Sequence, residues 1–181
     1  MRAIGIDMGT TTVCGVLIDA ASGDILAKAE RKNDAAIASP HAYEKIQNPD
    51  RILEIATSVL EELALGEICS VGVTGQMHGI VYLDAQGNAV SPLYTWQDGR
   101  GNLPIGDTTY AARLGSSTGY GYVTHDYNRQ NGLVPASAVC FCTIHDYVAM
   151  RICGEQQPLI HTTDAASFGQ WDIDKGCFTV K

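Results

Sequence analysis

Positive charge is scarce in this chain. Its 181 residues carry 12 Lys and Arg against 20 Asp and Glu, a formal net charge of -8. Neutralising a nucleic-acid backbone takes clustered Lys and Arg, so no nucleic-acid partner is expected. A nucleotide is not excluded with it, because backbone N–H groups and a metal ion can build a small phosphate pocket. Long apolar runs are missing too. Asp7 interrupts the opening stretch, which reads as neither a signal peptide nor a membrane span, and no later run approaches the ~20 residues a bilayer requires. No membrane partner is expected. The six cysteines (Cys14, Cys69, Cys140, Cys142, Cys153, Cys177) contain no C-x-x-C pair. Most lie within apolar runs, so the expectation is reduced, buried thiols in a cytoplasmic protein. Cys140 and Cys142 would share one strand face with no second pair nearby, a poor match to zinc spacing.

What is present suits a folded domain. Apolar residues make up 45% and charged residues 18%, a balance that excludes disorder and allows one ordinary core. Three apolar stretches, 3–6, 13–18 and 24–30, read as consecutive strands, with turn chemistry at Asp19–Gly23. Ile52, Ile55, Ala56, Val59, Leu60 and Leu63 recur at helical spacing after a start signal at Pro49-Asp50, and Gly66 ends the helix. A buried strand is expected over 68–73, feeding the loop Thr74–Gly79. A further hairpin is expected around 80–88, with its turn at Asp84–Asn88. Residues 99–135, rich in Gly, Thr and Tyr, offer only a short helix near Thr108–Leu114. A strand over 138–142 and a helix over 145–152, closed by Gly154, complete the reading. Strands that meander first and later alternate with helices point to an α/β or mixed-sheet domain.

The segment Gly5-Ile6-Asp7-Met8-Gly9-Thr10-Thr11-Thr12 carries the clearest chemistry. An acid closes a buried strand, a glycine allows a tight turn, and hydroxyl residues follow before the next strand. Gly9, Thr10, Thr11 and Thr12 are candidates to cradle an anion, and Asp7 to hold a magnesium ion beside it. No Gly-Lys-Ser/Thr follows, so this is not a Walker A loop. The alternative is a plain hairpin turn whose hydroxyls are satisfied locally. Gln76, Met77 and His78 follow the strand 68–73, at the end where open sheets place ligands. His78 offers hydrogen bonds to a ligand hydroxyl, or else is a satisfied structural histidine. Trp96 could stack on the apolar face of a ligand while Asp98 accepts hydroxyl hydrogen bonds. Equally, Trp96 could be core and Asp98 could pair with Arg100. Asp164 reads as a helix N-cap, and Tyr120, Tyr122 and His125 as residues that could line a ligand pocket.

Gly5–Thr11 resembles the first phosphate motif of the sugar kinase, heat-shock ATPase and actin superfamily. Thr74-Gly75-Gln76-Met77-His78-Gly79 is similar to the loop that xylulokinases and sedoheptulokinases of the FGGY family place beside the sugar. Trp96-Gln97-Asp98-Gly99-Arg100 resembles the family's Trp-x-Asp-x-Arg segment. His145-Asp146-Tyr147-Val148 and Thr163-Asp164-Ala165-Ala166-Ser167 resemble two further landmarks in the same order. Gly119–Thr124 is nearer to sedoheptulokinases than to xylulokinases. The resemblance covers nearly the whole chain. It implies an actin-like ATPase (ribonuclease H-like) α/β domain, an N-terminal β-meander followed by alternating helices and strands in a mixed sheet. It further implies ATP and Mg2+, with a ketose such as sedoheptulose or xylulose phosphorylated on a primary hydroxyl. A homodimer is compatible with it.

Two departures temper the expectation. The family commonly carries Lys or Arg where this chain has Cys14, and a neutral thiol does not replace a cation at a phosphate. The family's general-base aspartate is expected beyond Lys181. Residues 1–181 are therefore read as the family's N-terminal domain, incomplete at its C-terminal end, with the second domain absent. The chain alone is expected to be inactive; the alternative is a non-catalytic sugar-binding or assembly module.

Overall fold

The computed structural model describes residues 1–179. The chain opens on the expected meander: β1 (Arg2–Met8), β2 (Thr12–Asp19) and β3 (Ile25–Lys32), each antiparallel to the one before. Alternation sorts their side chains into two faces. Ile4, Ile6, Met8, Val13 and Leu17 are buried on one of them. Against that face lies α1 (Pro49–Leu63). Asn48 caps the helix by accepting from the N–H groups of Asp50 and Arg51, and Pro49 gives up no needed donor in the first turn. Its stripe of Ile52, Ile55, Ala56, Val59 and Leu63 enters the core. Close approach depends on Gly15, where a Cβ would come 2.7 Å from Leu63 and 2.9 Å from Val59. Past the helix end, Gly66 takes φ +81°.

Short strands β4 (Ala36–Ile37) and β5 (Ile46–Gln47) precede α1, and β6 (Ile68–Gly75) follows it. β6 runs parallel to β1, in the register Asp7↔Thr74 and Met8↔Gly75. The main sheet therefore has the order β3-β2-β1-β6 and is mixed, as expected. Parallel pairing has one decisive consequence. The phosphate-like hairpin after β1 and the Gln76–His78 loop after β6 leave the sheet at the same end.

β7 (Val81–Leu83) pairs along its length with the strand Cys140–Cys142, while Leu83 and Ala89 form only an isolated bridge. The turn expected at Asp84–Asn88 is present, but the hairpin it closes is held only by isolated bridges, Leu83↔Ala89 and Ile80↔Tyr94, while the strand's continuous partner lies far along the chain. β8 (Leu93–Tyr94) joins β5 in a small sheet of order β4-β5-β8. Four helices follow: α2 (Tyr110–Arg113), α3 (Gly121–Gln130), α4 (Ile144–Ile152) and α5 (Thr162–Ser167). At the start of α4, Thr143 accepts from the Asp146 N–H and donates to its carboxylate, a reciprocal cap. Asp164 lies in the first turn of α5, and the cap itself is His161.

The cysteines depart from expectation. Only Cys142 is buried; Cys69, Cys140, Cys153 and Cys177 are exposed, Cys14 is half-buried, and all six are free thiols. An apolar neighbourhood in sequence did not predict which face or end of an element each thiol would occupy. Among the described residues no helix is long and apolar enough to cross a membrane.

Candidate functional site

The turn between β1 and β2 is held from behind by its carbonyls. Gly9 O accepts from Asn33 Nδ2 at 2.9 Å, Thr10 O from Gln47 Nε2 at 2.8 Å, and Thr11 O from Asn33 N at 2.9 Å. The N–H groups of Gly9, Thr10 and Thr11 have no hydrogen-bond partner among the described residues. Successive free donors backed by engaged acceptors make a concavity polarised for an anion. A Cβ at Gly9 would fall 2.8 Å from Thr12 O, so the turn closes this tightly only with glycine. Asp7 is exposed at the strand end, and its Oδ2 lies 4.0 Å from that same Cβ position. Free N–H donors beside a free carboxylate fit a phosphate chain with its magnesium ion.

The β6 end meets this turn through one polar chain. Trp96 Nε1 donates to Thr10 Oγ1 at 3.0 Å, Thr10 Oγ1 donates to Gln76 Oε1 at 3.5 Å, and Gln76 Nε2 donates to Gln47 Oε1 at 2.8 Å. Thr10, Gln76 and Trp96 are thus brought together. Gln47 and Asn33 were not singled out in the sequence. Polar residues between elements give no signal of where they reach.

Met77 is 53% and Trp96 46% exposed, so both present apolar surface at the site mouth. His78 adopts φ +69°, unusual for a residue with a side chain. Its Nδ1 is 2.6 Å from Ser167 O, and its ring stacks on Tyr120 at 4.1 Å between centroids. A carbonyl only accepts, so Nδ1 carries the proton and, in the neutral ring, Nε2 is left as an acceptor.

Asp98 is not brought to this surface. It is fully buried, and its two oxygens take Arg100 Nε at 2.6 Å, Arg100 Nη2 at 3.1 Å and Lys45 N at 3.0 Å. Of its two readings, the geometry supports the link to Arg100. Tyr122 and His125 also turn away, toward Phe141. His125 lines a cavity of about 540 Å³ with Tyr82 and Trp171, and both residues line a second one of about 570 Å³ with Arg113 and Gln170. Of the three candidates in that stretch, only Tyr120 reaches His78.

His125 Nδ1 accepts from Tyr82 Oη at 2.9 Å, and burial holds the imidazole below its ordinary value of 6.5, with Arg129 adding to the effect. The folded state therefore favours neutral imidazole. Stability from this site is present above pH 6.5 and is lost as pH falls through the depressed folded value. The thermal midpoint of the chain is expected to drop on acidification, and His125→Gln to flatten part of that drop. An identical pH profile in the variant would remove His125 as the cause.

A further buried cluster joins His145, Asp146 and Asp164, with His145 Nε2 3.1 Å from Asp164 Oδ1. Burial raises the Asp146 carboxyl above the usual range, against the opposing bond from Thr143. The cluster ties the starts of α4 and α5 together, and a Cβ on Gly75 would touch His145 Cβ at 3.4 Å. These two sequence landmarks therefore sit behind the β6 end.

Comparison with known proteins matches residues 2–105 to the profile described as "FGGY family of carbohydrate kinases, N-terminal domain". The chain is 34% identical over 212 residues to sedoheptulokinase of Mus musculus, covering 94% of this chain and 43% of that protein. It is 33% identical over 216 residues to sedoheptulokinase of Homo sapiens, covering 98% of this chain and 44% of that protein. It thus spans less than half the length of these relatives. The crystal structure of xylulose kinase from Rhodospirillum rubrum superposes with a TM-score of 0.78 at 24% identity, covering 98% of this chain and 39% of that one. The fold is accordingly the actin-like ATPase fold of the sugar kinases.

Proposed function

Since the chain belongs to the FGGY family of carbohydrate kinases, we propose that it holds ATP and a ketose side by side at the ends of β1 and β6, with a primary hydroxyl of the sugar as phosphoryl acceptor. The observation that carries this reading is the β1–β2 turn, whose carbonyls are spent on the protein while three N–H groups are free. Gly9, Thr10, Thr11 and Thr12 cradle the phosphates, and Asp7 holds magnesium. When bound, the ion supplies charge neutralisation on the transferring phosphoryl. Gln76, Met77, His78 and Trp96 face the sugar: His78 Nε2 accepts from a hydroxyl, and Met77 and Trp96 cover carbon faces. The Trp96–Thr10 bond supports this arrangement, because it ties a side chain assigned to the sugar to the turn assigned to the phosphates. Sedoheptulose is favoured over xylulose, because the relatives at 33–34% identity over nearly the whole chain carry that name.

The role proposed for the described residues is to bind and align the two ligands; none of them is assigned as the general base. A second reading, a sugar-binding module without phosphoryl transfer, draws on Cys14. Burial first, then the Asp7 and Glu30 charges, push its thiol up and keep it neutral beside the turn.

Calorimetry of the chain with sedoheptulose and with MgATP tests both readings. Both ligands are expected to bind. His78→Ala should weaken the ketose roughly tenfold, the usual cost of a lost hydrogen bond in a binding site, and leave MgATP unchanged. Ketose binding without any nucleotide binding would select the second reading. Binding of neither ligand by the chain would overturn both readings.

A further inference from the structure

The turn offers N–H groups to a polyanion, yet β2, the strand it enters, carries no Lys or Arg. Strand register places Asp7 opposite Cys14, and Cys14 opposite Glu30. Asp7 is assigned to magnesium, the thiol is neutral, and the Glu30 carboxylate repels a triphosphate. A cation has to come from elsewhere on the same face.

β3 supplies it by alternation. Arg31 turns to the helix side, where it pairs with Glu62 of α1. Lys28, Glu30 and Lys32 therefore project from the opposite face, the one that carries Asp7 and Cys14. Of these lysines, Lys32 stands opposite Thr12, whereas Lys28 stands opposite Val16, farther from the turn. Lys32 and Cys14 are diagonal cross-strand neighbours, about 7–8 Å apart and within reach of a long side chain.

Three further observations place Lys32 at the anion cradle. It lines a cavity of about 490 Å³ together with Thr10, Thr11 and Gln47. Its neighbour Asn33 is tied to the turn twice, through Gly9 O and Thr11 O, so the backbone at this end of β3 is fixed against the threonines. Lys32 forms no ion pair among the described residues, which leaves its ammonium uncommitted. Lys45 lines the same cavity, but it lies outside β3 and has no place opposite the threonines in the sheet register.

We propose that Lys32 is the cation of the phosphate site, carrying from β3 the charge that Cys14 does not carry on β2. The proposal rests on the nucleotide reading of the turn and names one more residue of that site. It accounts for a phosphate turn that lacks a cation on its own strand.

The test is calorimetric titration of the chain with MgATP and with inorganic tripolyphosphate, which has no adenosine to bind elsewhere. Lys32→Ala should weaken both roughly tenfold, as expected for a lost charge-assisted contact. Lys32→Arg should retain most of the affinity, and Lys28→Ala should match the parent chain. The deficit should shrink as salt is raised. Adding Cys14→Lys to Lys32→Ala should recover binding by returning a cation to the neighbouring position. Equal affinities for the parent chain and Lys32→Ala would overturn the role of Lys32 and leave the turn as the phosphate site. No binding of either ligand by the parent chain would overturn the nucleotide reading, and this inference with it.

Discussion

Asp98→Ala is expected to lower the folding stability of the chain by about 3–5 kcal/mol, the cost of leaving a buried charge without its partner. The charge left behind is Arg100, whose side chain is 1% exposed and would keep, of its carboxylate contacts, only the longer one of its Nη2 to Glu44 Oε1 at 3.5 Å. Burial works against the guanidinium, and Asp98 first, then Tyr94 and Glu44, more than offset it. The pair also anchors a longer polar chain. Arg100 Nη1 donates to Asn128 at 2.5 Å, Asn128 to Tyr82 Oη at 3.4 Å, and Tyr82 to His125 at 2.9 Å. Burial pushes the Tyr82 hydroxyl up to about 12, which keeps it a donor at neutral pH. Removing Asp98 therefore loosens the seat of α3 as well as the Trp96 loop. Urea unfolding measures the loss. The double variant Asp98→Ala/Arg100→Met should be more stable than Asp98→Ala alone, because it removes the orphaned charge. If Asp98→Ala kept parental stability but lost ketose affinity, Asp98 would be a sugar ligand after all, and the link described above would be unimportant.

Gly119→Ala is expected to be nearly as damaging. Gly119 has φ +83°, and a Cβ there would sit 1.9 Å from Trp96 O, inside any tolerable contact. A left-handed alanine and forced overpacking together cost about 2–5 kcal/mol. The obstructing atom is backbone, and the Trp96 loop is tethered through its indole to Thr10. Relief would have to displace either the Trp96 loop or Tyr120, which stacks on His78. Ketose affinity should fall along with stability. Gly115→Ala is the matched control, with φ +59° and nothing within 4 Å of the added carbon. Only the backbone preference, about 1–2 kcal/mol, should be lost there. Equal melting temperatures for the two variants would show that the contact with Trp96 O is not what makes position 119 intolerant.

Several features were legible because their causes are local. Apolar alternation with turn residues at Asp19–Gly23 is enough to specify the meander, and its strands formed as expected. The stripe from Ile52 to Leu63, with its start at Pro49, specifies α1. Asp7 at a strand end followed by Gly9 and threonines locates the turn, since tight closure there depends on a glycine within the motif itself. The order of the family motifs was likewise written in the chain.

Other features depended on partners far away in sequence. α3 begins without a side-chain cap and contains Gly121, Thr124 and Asn128, none of them a strong helix former. It is held by packing, with Gly121 so close to Ile80 and Phe168 that a Cβ would lie 2.7 Å from each. No periodicity in residues 99–135 announces that. Thr10 and Trp96 are 86 positions apart, and His78 and Ser167 are 89 apart, yet these bonds orient the site. By itself, then, the sequence determined a glycine-closed turn at Asp7–Thr12 on a meander of the sugar-kinase type. Tertiary structure decided which side chains share that site: Gln47, Asn33, Gln76 and Trp96 come in, while Asp98, Tyr122 and His125 go elsewhere. The physical reason is that strand alternation and turn closure are set by neighbouring residues. The direction of a polar side chain is set by whichever partner the completed fold leaves within hydrogen-bonding reach.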